Sequence, residues 1–205
     1  YPLRRQRQMC IRDSTYPHGT GAQVGDMMIV DLNDDGKING NDRYMTNSSA
    51  IPEYVFGLTT LLGYKGFDLT LYFQGQTNVW SYDGGLESFA RTNLDNNTVY
   101  RATNRWTVDN TEGATMPRAD CWQPGATDFF LYDATFIRIK NLEIGYTLGS
   151  NLSRKIGLND VRVFVNGTNL LTWAKEITWR DPEISGSFGT YPPLRIINFG
   201  INLNF

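Results

Sequence analysis

Histidine is almost absent from this chain: His18 stands alone, in a Gly/Pro-rich stretch where a solvated loop residue is expected. Ser-His-Asp and Cys-His chemistry needs an imidazole beside the nucleophile, so an enzyme of that kind is nearly excluded, and no other nucleophile–base pair or catalytic metal set can be assembled. Cysteine is as scarce. Cys10 and Cys121 lie far apart and set neither a disulfide framework nor a metal knuckle. A formal net charge of −2 with no evident basic face argues against nucleic acid as a partner. No stretch approaches the ~20 apolar residues of a membrane helix. That last absence leaves a barrel open, because barrel strands need only about 9–11 alternating residues.

What is abundant is β-forming and turn-forming: Tyr 11, Phe 11, Trp 5 and Gly 20 in 205 residues, with 40% hydrophobic. The stretch Leu194–Phe205 sets the pattern. Ile197, Phe199, Ile201, Leu203 and Phe205 fall on one face; Asn198, Gly200, Asn202 and Asn204 fall on the other. In a membrane barrel such an apolar face meets lipid, the polar face meets the lumen, and aromatics sit at the water interfaces. A half-buried strand of a soluble sandwich would alternate similarly.

The same period recurs upstream. Strands are expected at about Glu53–Gly63 and Gly66–Gln76, joined by a tight turn at Gly63-Tyr64-Lys65-Gly66. Further strands are expected at Ala134–Leu148, Asp160–Trp173 and Leu194–Phe205. In the third, Ile137 and Ile139 have one parity and Leu142, Ile144, Tyr146 and Leu148 the other, so a bulge near Asn141 is required. The predicted sheet is antiparallel, sequential and open, with Tyr64, Phe67, Tyr146 and Phe205 at one interface and Tyr54, Phe73 and Trp173 at the other. Connections alternate between short (Gly63–Gly66, Gly149–Asn159) and long (Thr77–Phe130, Ala174–Pro193), as periplasmic turns and extracellular loops do. A short helix is expected between Ser88 and Trp106.

Three stretches stand apart. Residues 1–14, YPLRRQRQMCIRDS, are basic, lack alternation, and look like translated sequencing-adapter sequence, so they are set aside from fold reasoning. Within a loop region spanning 15–51, D-L-N-D-D-G-K-I-N-G-N-D at Asp31–Asp42 has the register of a calcium loop. Asp31, Asn33, Asp35, the Lys37 carbonyl, Asn39 and Asp42 occupy the ligand positions, with Gly36 at the turn. A solvated acidic turn explains the D-G and N-G dipeptides too. Aspartate replaces the usual bidentate Glu at the last position. Finally, the long loops carry Trp80, Trp106, Trp122 and Trp179, candidates for stacking on a substrate or for packing the loops on themselves. Asp181-Pro182-Glu183 is read as a turn.

Taken together, GDMMIVDLNDDGKINGNDR, IPEYVFGLTTLLGYKGFDLTLYFQGQ, FIRIKNLEIGYTL, VRVFVNGTNLLTW, DPE and YPPLRIINFGINLNF, in this order, resemble the C-terminal end of a SusC/RagA-type TonB-dependent outer-membrane transporter. The resemblance covers about Gly25 to Phe205. It implies an all-β fold: the C-terminal part of a large antiparallel transmembrane β-barrel, about five strands here as an open sheet over 52–205. It further implies location in the outer membrane of a Gram-negative bacterium, with lipid around the barrel, a SusD-like lipoprotein lid, energy from a TonB complex contacted through parts not in this chain, and import of a glycan or peptide without chemistry on it. Glycan is favoured over peptide. A structural Ca2+ would brace the loop at Asp31–Asp42. The alternative from another class is a soluble calcium-binding β-sandwich that binds carbohydrate.

Overall fold

The computed structural model describes residues 21–83, 99–119, 127–155, 157–184 and 191–205. The stretch 1–14, His18, Cys121 and Trp122 lie outside them. The chain divides into two compact units: Tyr1–Asn47 with Tyr82–Leu131 and Gly186–Phe188, and Ser48–Ser81 with Tyr132–Ser185 and Gly189–Phe205.

The second unit is built on one sheet. Its long strands are β1 (Tyr54–Tyr64) and β2 (Phe67–Thr77), then β5 (Phe136–Thr147), β6 (Asp160–Ala174) and β7 (Ile196–Asn204). Short β3 (Trp80–Tyr82) and β4 (Leu131–Asp133) pair separately as a two-stranded ribbon. The order in the large sheet is β1-β2-β5-β6-β7, every pair antiparallel. The expected boundaries hold to within two residues. β1 and β2 are joined by two residues, Lys65 (φ 48°) and Gly66 (φ 87°), which close the Tyr64–Phe67 pair. Positive φ at both central positions matches the right-handed twist of the flanking strands, and glycine adopts it without steric cost.

Register turns alternation into two continuous faces. Leu62, Leu69, Ile144, Val165 and Phe199 are partners in one row across all five strands, and Tyr64, Phe67, Tyr146, Val163 and Ile201 in the next. Between those two rows, on the opposite face, run Gly63, Asp68, Gly145, Phe164 and Gly200. The parity conflict in β5 is resolved by one inserted residue. Tyr72 pairs with Asn141 but Phe73 with Ile139, which leaves Lys140 outside the β2 ladder. Toward β6, Asn169 (φ 52°) and Leu170 oppose Lys140, since Ile139 pairs with Leu171 and Asn141 with Thr168. The bulge keeps Ile137, Ile139, Leu142, Ile144 and Tyr146 all on the apolar side.

That apolar face is bare. Leu58, Leu62, Phe67, Ile144, Leu171, Ile197, Ile201 and Leu203 are exposed, and Phe199 is 84% exposed. Soluble domains seldom present contiguous apolar surface beyond a few hundred Å², and this one extends over five strands of 9 to 15 residues. A sandwich would lay a second sheet against it; among the described residues the second sheet is only the β3–β4 ribbon. Aromatic rings gather at the strand ends. Tyr64, Phe67 and Tyr146 mark one end, with the Phe67 and Tyr146 centroids 4.5 Å apart. Tyr54 and Trp173 mark the other.

Glycines opposite rings fix the pairing. Phe56 is the cross-strand partner of Gly75, and a Cβ on Gly75 would lie 2.7 Å from Phe56 Cε2. Phe164 covers its partner Gly200 in the same way, with Cε1 2.6 Å from where a Cβ would be.

Two short α-helices and two 3-10 turns, Gly40–Asp42 and Asp128–Phe130, complete the described elements. Val99–Asn104 falls within the span where a helix is expected. Ser150–Lys155 occupies the β5–β6 connection, which reads in sequence only as a short basic turn. Arg154 and Lys155 in its last turn suit the negative end of the helix dipole.

The first unit has a small core of its own, in which Asp26, Met27, Met116, Pro117 and Phe130 are buried. The Trp106 indole lies over Gly25, where a Cβ would overlap the ring. Backbone bonds from Trp106 N–H to Met116 O (2.8 Å) and Arg118 N–H to Gly25 O (2.9 Å) knit the three segments.

Candidate functional site

The polar face of the sheet carries a charged ladder. Arg162 of β6 donates to Asp68 of β2 through Nε (3.0 Å to Oδ1) and Nη2 (2.5 Å to Oδ2), and Nη2 also reaches Glu143 Oε1 of β5 at 2.6 Å. Asn166 Nδ2 donates to Glu143 Oε2 (3.3 Å), and Asn198 Nδ2 to Asn166 Oδ1 (2.9 Å). The series crosses four strands. It depends on Gly145, because a Cβ there would lie 2.6 Å from both Asp68 carboxylate oxygens.

Near the far end of the strands, the segment after β6 is fastened to this face. Arg138 of β5 is fully buried. Its Nη2 donates to Asp181 Oδ2 (2.5 Å), its Nη1 to Glu183 Oε2 (2.9 Å), and its Nε to Thr172 Oγ1 (3.0 Å). Gln74 Nε2 adds a bond to Glu183 Oε1 (3.1 Å), and Lys140 Nζ stands 3.9 Å from Glu183. A second fastening lies beside it. Lys175 Nζ donates to Asp133 Oδ2 (2.6 Å), and the Asp133 N–H donates to Glu176 Oε2 (2.8 Å). Burial pushes the Asp133 carboxyl up, but the bonds from Lys175 and Thr135 outweigh it and hold the group below its usual value. The bond to Asp133 raises Lys175 correspondingly. Ile177, two residues after Lys175, is 1% exposed.

Between these fastenings and the start of β7 is a recess of about 490 Å³. Asn169, Thr172, Thr178, Trp179, Asp181, Pro182, Pro192, Pro193 and Arg195 line it with Ala174, Ile177 and Arg180. Trp179 is half exposed and stacks edge-on against Tyr132, centroids 4.9 Å apart.

The loop Asp31–Asp42, in the other unit, is wound on its own side chains. Asp31 accepts from the N–H groups of Asp35 (3.3 Å) and Gly36 (2.7 Å), Asn33 from Asp35 (3.2 Å), and Asp35 from Lys37 (2.9 Å). Asn39 caps the 3-10 turn Gly40–Asp42, and Asp42 accepts from the Asn39 N–H (2.7 Å) and the Leu32 N–H (3.0 Å). Those amide bonds, that from Asn39 foremost, hold the Asp42 carboxyl below its usual value. Asp34 (φ 56°) and Gly36 (φ 76°) supply the left-handed positions the winding needs. The Lys37 carbonyl accepts from Asn39 Nδ2 at 3.3 Å. Among the described residues, no three His, Cys, Asp or Glu side chains are gathered as they would be around a metal ion.

Comparison with known proteins converges on one family. The chain is 30% identical to TonB-dependent receptor P3 of Formosa agariphila over 212 aligned positions, covering 93% of this chain and 20% of that protein. It is 27% identical to TonB-dependent receptor SusC of Bacteroides thetaiotaomicron, over 87% of this chain and 17% of SusC. Among solved structures, the RagAB peptide importer in its closed-closed state superposes with a TM-score of 0.67 at 23% identity, over 83% of this chain and 19% of that one. No family model matches the chain. The chain belongs to the SusC/RagA family of TonB-dependent receptors. It spans about one fifth of the length of the curated relatives it matches. The open five-stranded sheet is accordingly a segment of a TonB-dependent barrel.

Within this TonB-dependent segment the four candidate tryptophans have separate fates. Trp106 packs over Gly25 in the first unit, with its Nε1 buried and unpartnered. Trp80 is half-buried in β3, its N–H bonded to the Ser49 carbonyl at 2.8 Å. Trp122 lies outside the described residues. Trp179 alone of the three described lines the recess. Sequence reading missed the Arg138 clamp. The signal was present: Arg138 stands on the polar parity of β5, and D-P-E brings two carboxylates on a proline-stiffened turn.

Proposed function

We propose that this segment forms part of the wall of an outer-membrane transporter that imports an oligomeric nutrient, glycan in preference to peptide, and performs no chemistry on it. The observation that carries the reading is the bare apolar face across all five long strands, backed by a polar, hydrogen-bonded face suited to a water-filled lumen. Aromatic rings at both strand ends suit the two interfaces. Uptake in this reading is driven by a TonB complex, contacted through parts not in this chain, and assisted by a SusD-like lipoprotein lid. Relatives named as receptors and importers support transport over catalysis.

Growth tests this reading. The complete gene is restored to a cell lacking it, and growth is measured on panels of glycans and peptides. Import predicts gene-dependent growth on at least one oligosaccharide, abolished without TonB. Equal growth with and without the gene on every substrate overturns import, and growth on peptides alone overturns the glycan preference.

For the loop Asp31–Asp42 we propose a structural calcium ion that would draw Asp31, Asn33, Asp35, the Lys37 carbonyl and Asp42 from the separate hydrogen bonds described above toward one centre. An ionised carboxylate has about four acceptor sites, so the amide bonds of Asp31, Asp35 and Asp42 leave room for ligation. Calcium titration of thermal stability, with Asp31→Ala as control, decides. Stabilisation lost in the variant supports the ion; no calcium-dependent stabilisation makes the loop an acidic turn.

A further inference from the structure

We propose that the recess beside β6 and β7 is a subsite for one carboxylate-bearing sugar residue of the imported oligomer, with Trp179 as its stacking platform and Arg195 as the cation that reads the carboxylate. This deepens the import reading and rests on it.

Size and chemistry both point there. About 490 Å³ lies within the 300–1,000 Å³ of small-molecule sites and suits a monosaccharide unit with its water. The half-exposed Trp179 ring offers a flat apolar face, on which the C–H face of a sugar can lie. Thr172, Thr178 and Asn169 bring hydroxyl and amide groups to the same lining. A neutral recess of this kind would take a neutral sugar; its charge makes the difference.

The charge follows from the clamp. Asp181 is the sole carboxylate in the lining, and Arg138 holds it at 2.5 Å from behind. Arg138 also holds Glu183 at 2.9 Å, and Lys140 stands 3.9 Å from that second carboxylate, so the clamp sets two cations against two carboxylates and leaves no net negative charge behind the recess. Arg195 is exposed at the rim, and no carboxylate among the described residues is within ion-pairing distance of it. A guanidinium presents a planar fork of donors that fits a carboxylate bidentately, which an ammonium does not. Pro182, Pro192 and Pro193 stiffen the walls, and the buried Arg138 fixes both Thr172 and Asp181. A wall held in place before the ligand arrives loses less entropy on binding.

The proposal selects an acidic glycan over an acidic peptide because the lining pairs an open indole face with hydroxyl and amide groups. The test uses the complete receptor. Binding is measured calorimetrically with an oligogalacturonate, with the same oligosaccharide after carboxyl reduction, and with an acidic peptide of similar length. The variants are Arg195→Gln, Arg195→Lys and Trp179→Ala. We expect the oligouronate to bind more tightly than its reduced form, by about tenfold or more, equivalent to ~1.4 kcal/mol. Arg195→Gln should abolish that difference, Arg195→Lys should keep only part of it, and Trp179→Ala should weaken both sugars. Equal affinity for the two sugars, an unchanged difference in Arg195→Gln, or binding of the peptide alone overturns the subsite. Uptake of each compound is followed in parallel. Import of the sugars without preference for the carboxylate defeats the subsite only, whereas no TonB-dependent uptake of any oligomer defeats the import reading itself.

Discussion

Replacing Arg138 with methionine removes the charge that fastens the segment after β6 while keeping much of the side chain's length and apolar bulk. Arg138 is 0% exposed, Asp181 11% and Glu183 33%. Deleting one partner of a buried pair costs about 3–5 kcal/mol, because the other charge is left without compensation. Glu183 is one third exposed, so water screens much of its share, and most of the cost falls on Asp181. We expect the docked segment to be weakened by about 3 kcal/mol, roughly a hundredfold in its opening equilibrium. Hydrogen exchange reads this locally. The Glu183 N–H donates to Asp181 Oδ1 at 2.9 Å and the Ile184 N–H to the Asp181 carbonyl at 3.1 Å, so both amides should exchange faster in Arg138→Met while those of β2 are unaffected. The clamp acts as a unit, so Asp181→Asn with Glu183→Gln on top of Arg138→Met should add little. An acceleration below about threefold, which is under ~0.7 kcal/mol, or additivity of the substitutions, would refute the clamp.

The two faces predict opposite responses to charge. Phe199→Arg, at mid-strand on the apolar face, should destabilise the receptor in bilayers by about 2–4 kcal/mol, while Asn198→Arg on the other face should be tolerated; urea unfolding in liposomes compares them, and equal costs would undo the face assignment. Gly145→Val places atoms where Arg162 meets Asp68 and should cost about 1–3 kcal/mol by overpacking, seen as a lowered thermal midpoint that Arg162→Ala in the same chain partly restores. The Asp133–Lys175 bond has a pH window. Asp133 is lowered from 3.8 in the fold, so its stabilisation is present above pH 3.8 and is lost as pH falls through the lower folded value. Lys175 is raised from 10.5, so its share is complete below pH 10.5 and is lost as pH rises through the higher folded value. Exchange protection of the Asp133 N–H should therefore be flat between those limits and fall outside them, and a decline near neutrality would contradict the assignment.

Sequence alone carried the sheet further than the site. Period-two alternation with bounding turns located all five long strands, since an exposed apolar face cannot tolerate a one-residue slip. The parity break in β5 even announced the bulge, which the ladder places at Lys140. Local signals were also sufficient for the turns of Asp31–Asp42, whose Asx bonds are short-range. The clamp was illegible for the opposite reason. Arg138 and Asp181 are 43 positions apart, and only the fold brings them together. The tryptophans do not sort themselves in the sequence, because aromatic composition does not say whether a ring lies on solvent, as Trp179 does, or on a glycine, as Trp106 does. The helix Ser150–Lys155 escaped notice because six residues are too few for a helical period to show.

The ring-over-glycine pairs constrain how this sheet can change over generations. At Phe164 and Gly200 the order of substitution matters. If Gly200 grows first, its new side chain meets a ring already in place, and the intermediate is strained. If Phe164 shrinks first, the intermediate has only an uncovered glycine, which is weaker but not obstructed. Descent can therefore cross this pair readily in one direction and poorly in the other. Two positions distant in the gene then behave as one inherited character, and a chimera that takes β6 from one relative and β7 from another inherits the obstruction whenever their histories at this pair differ.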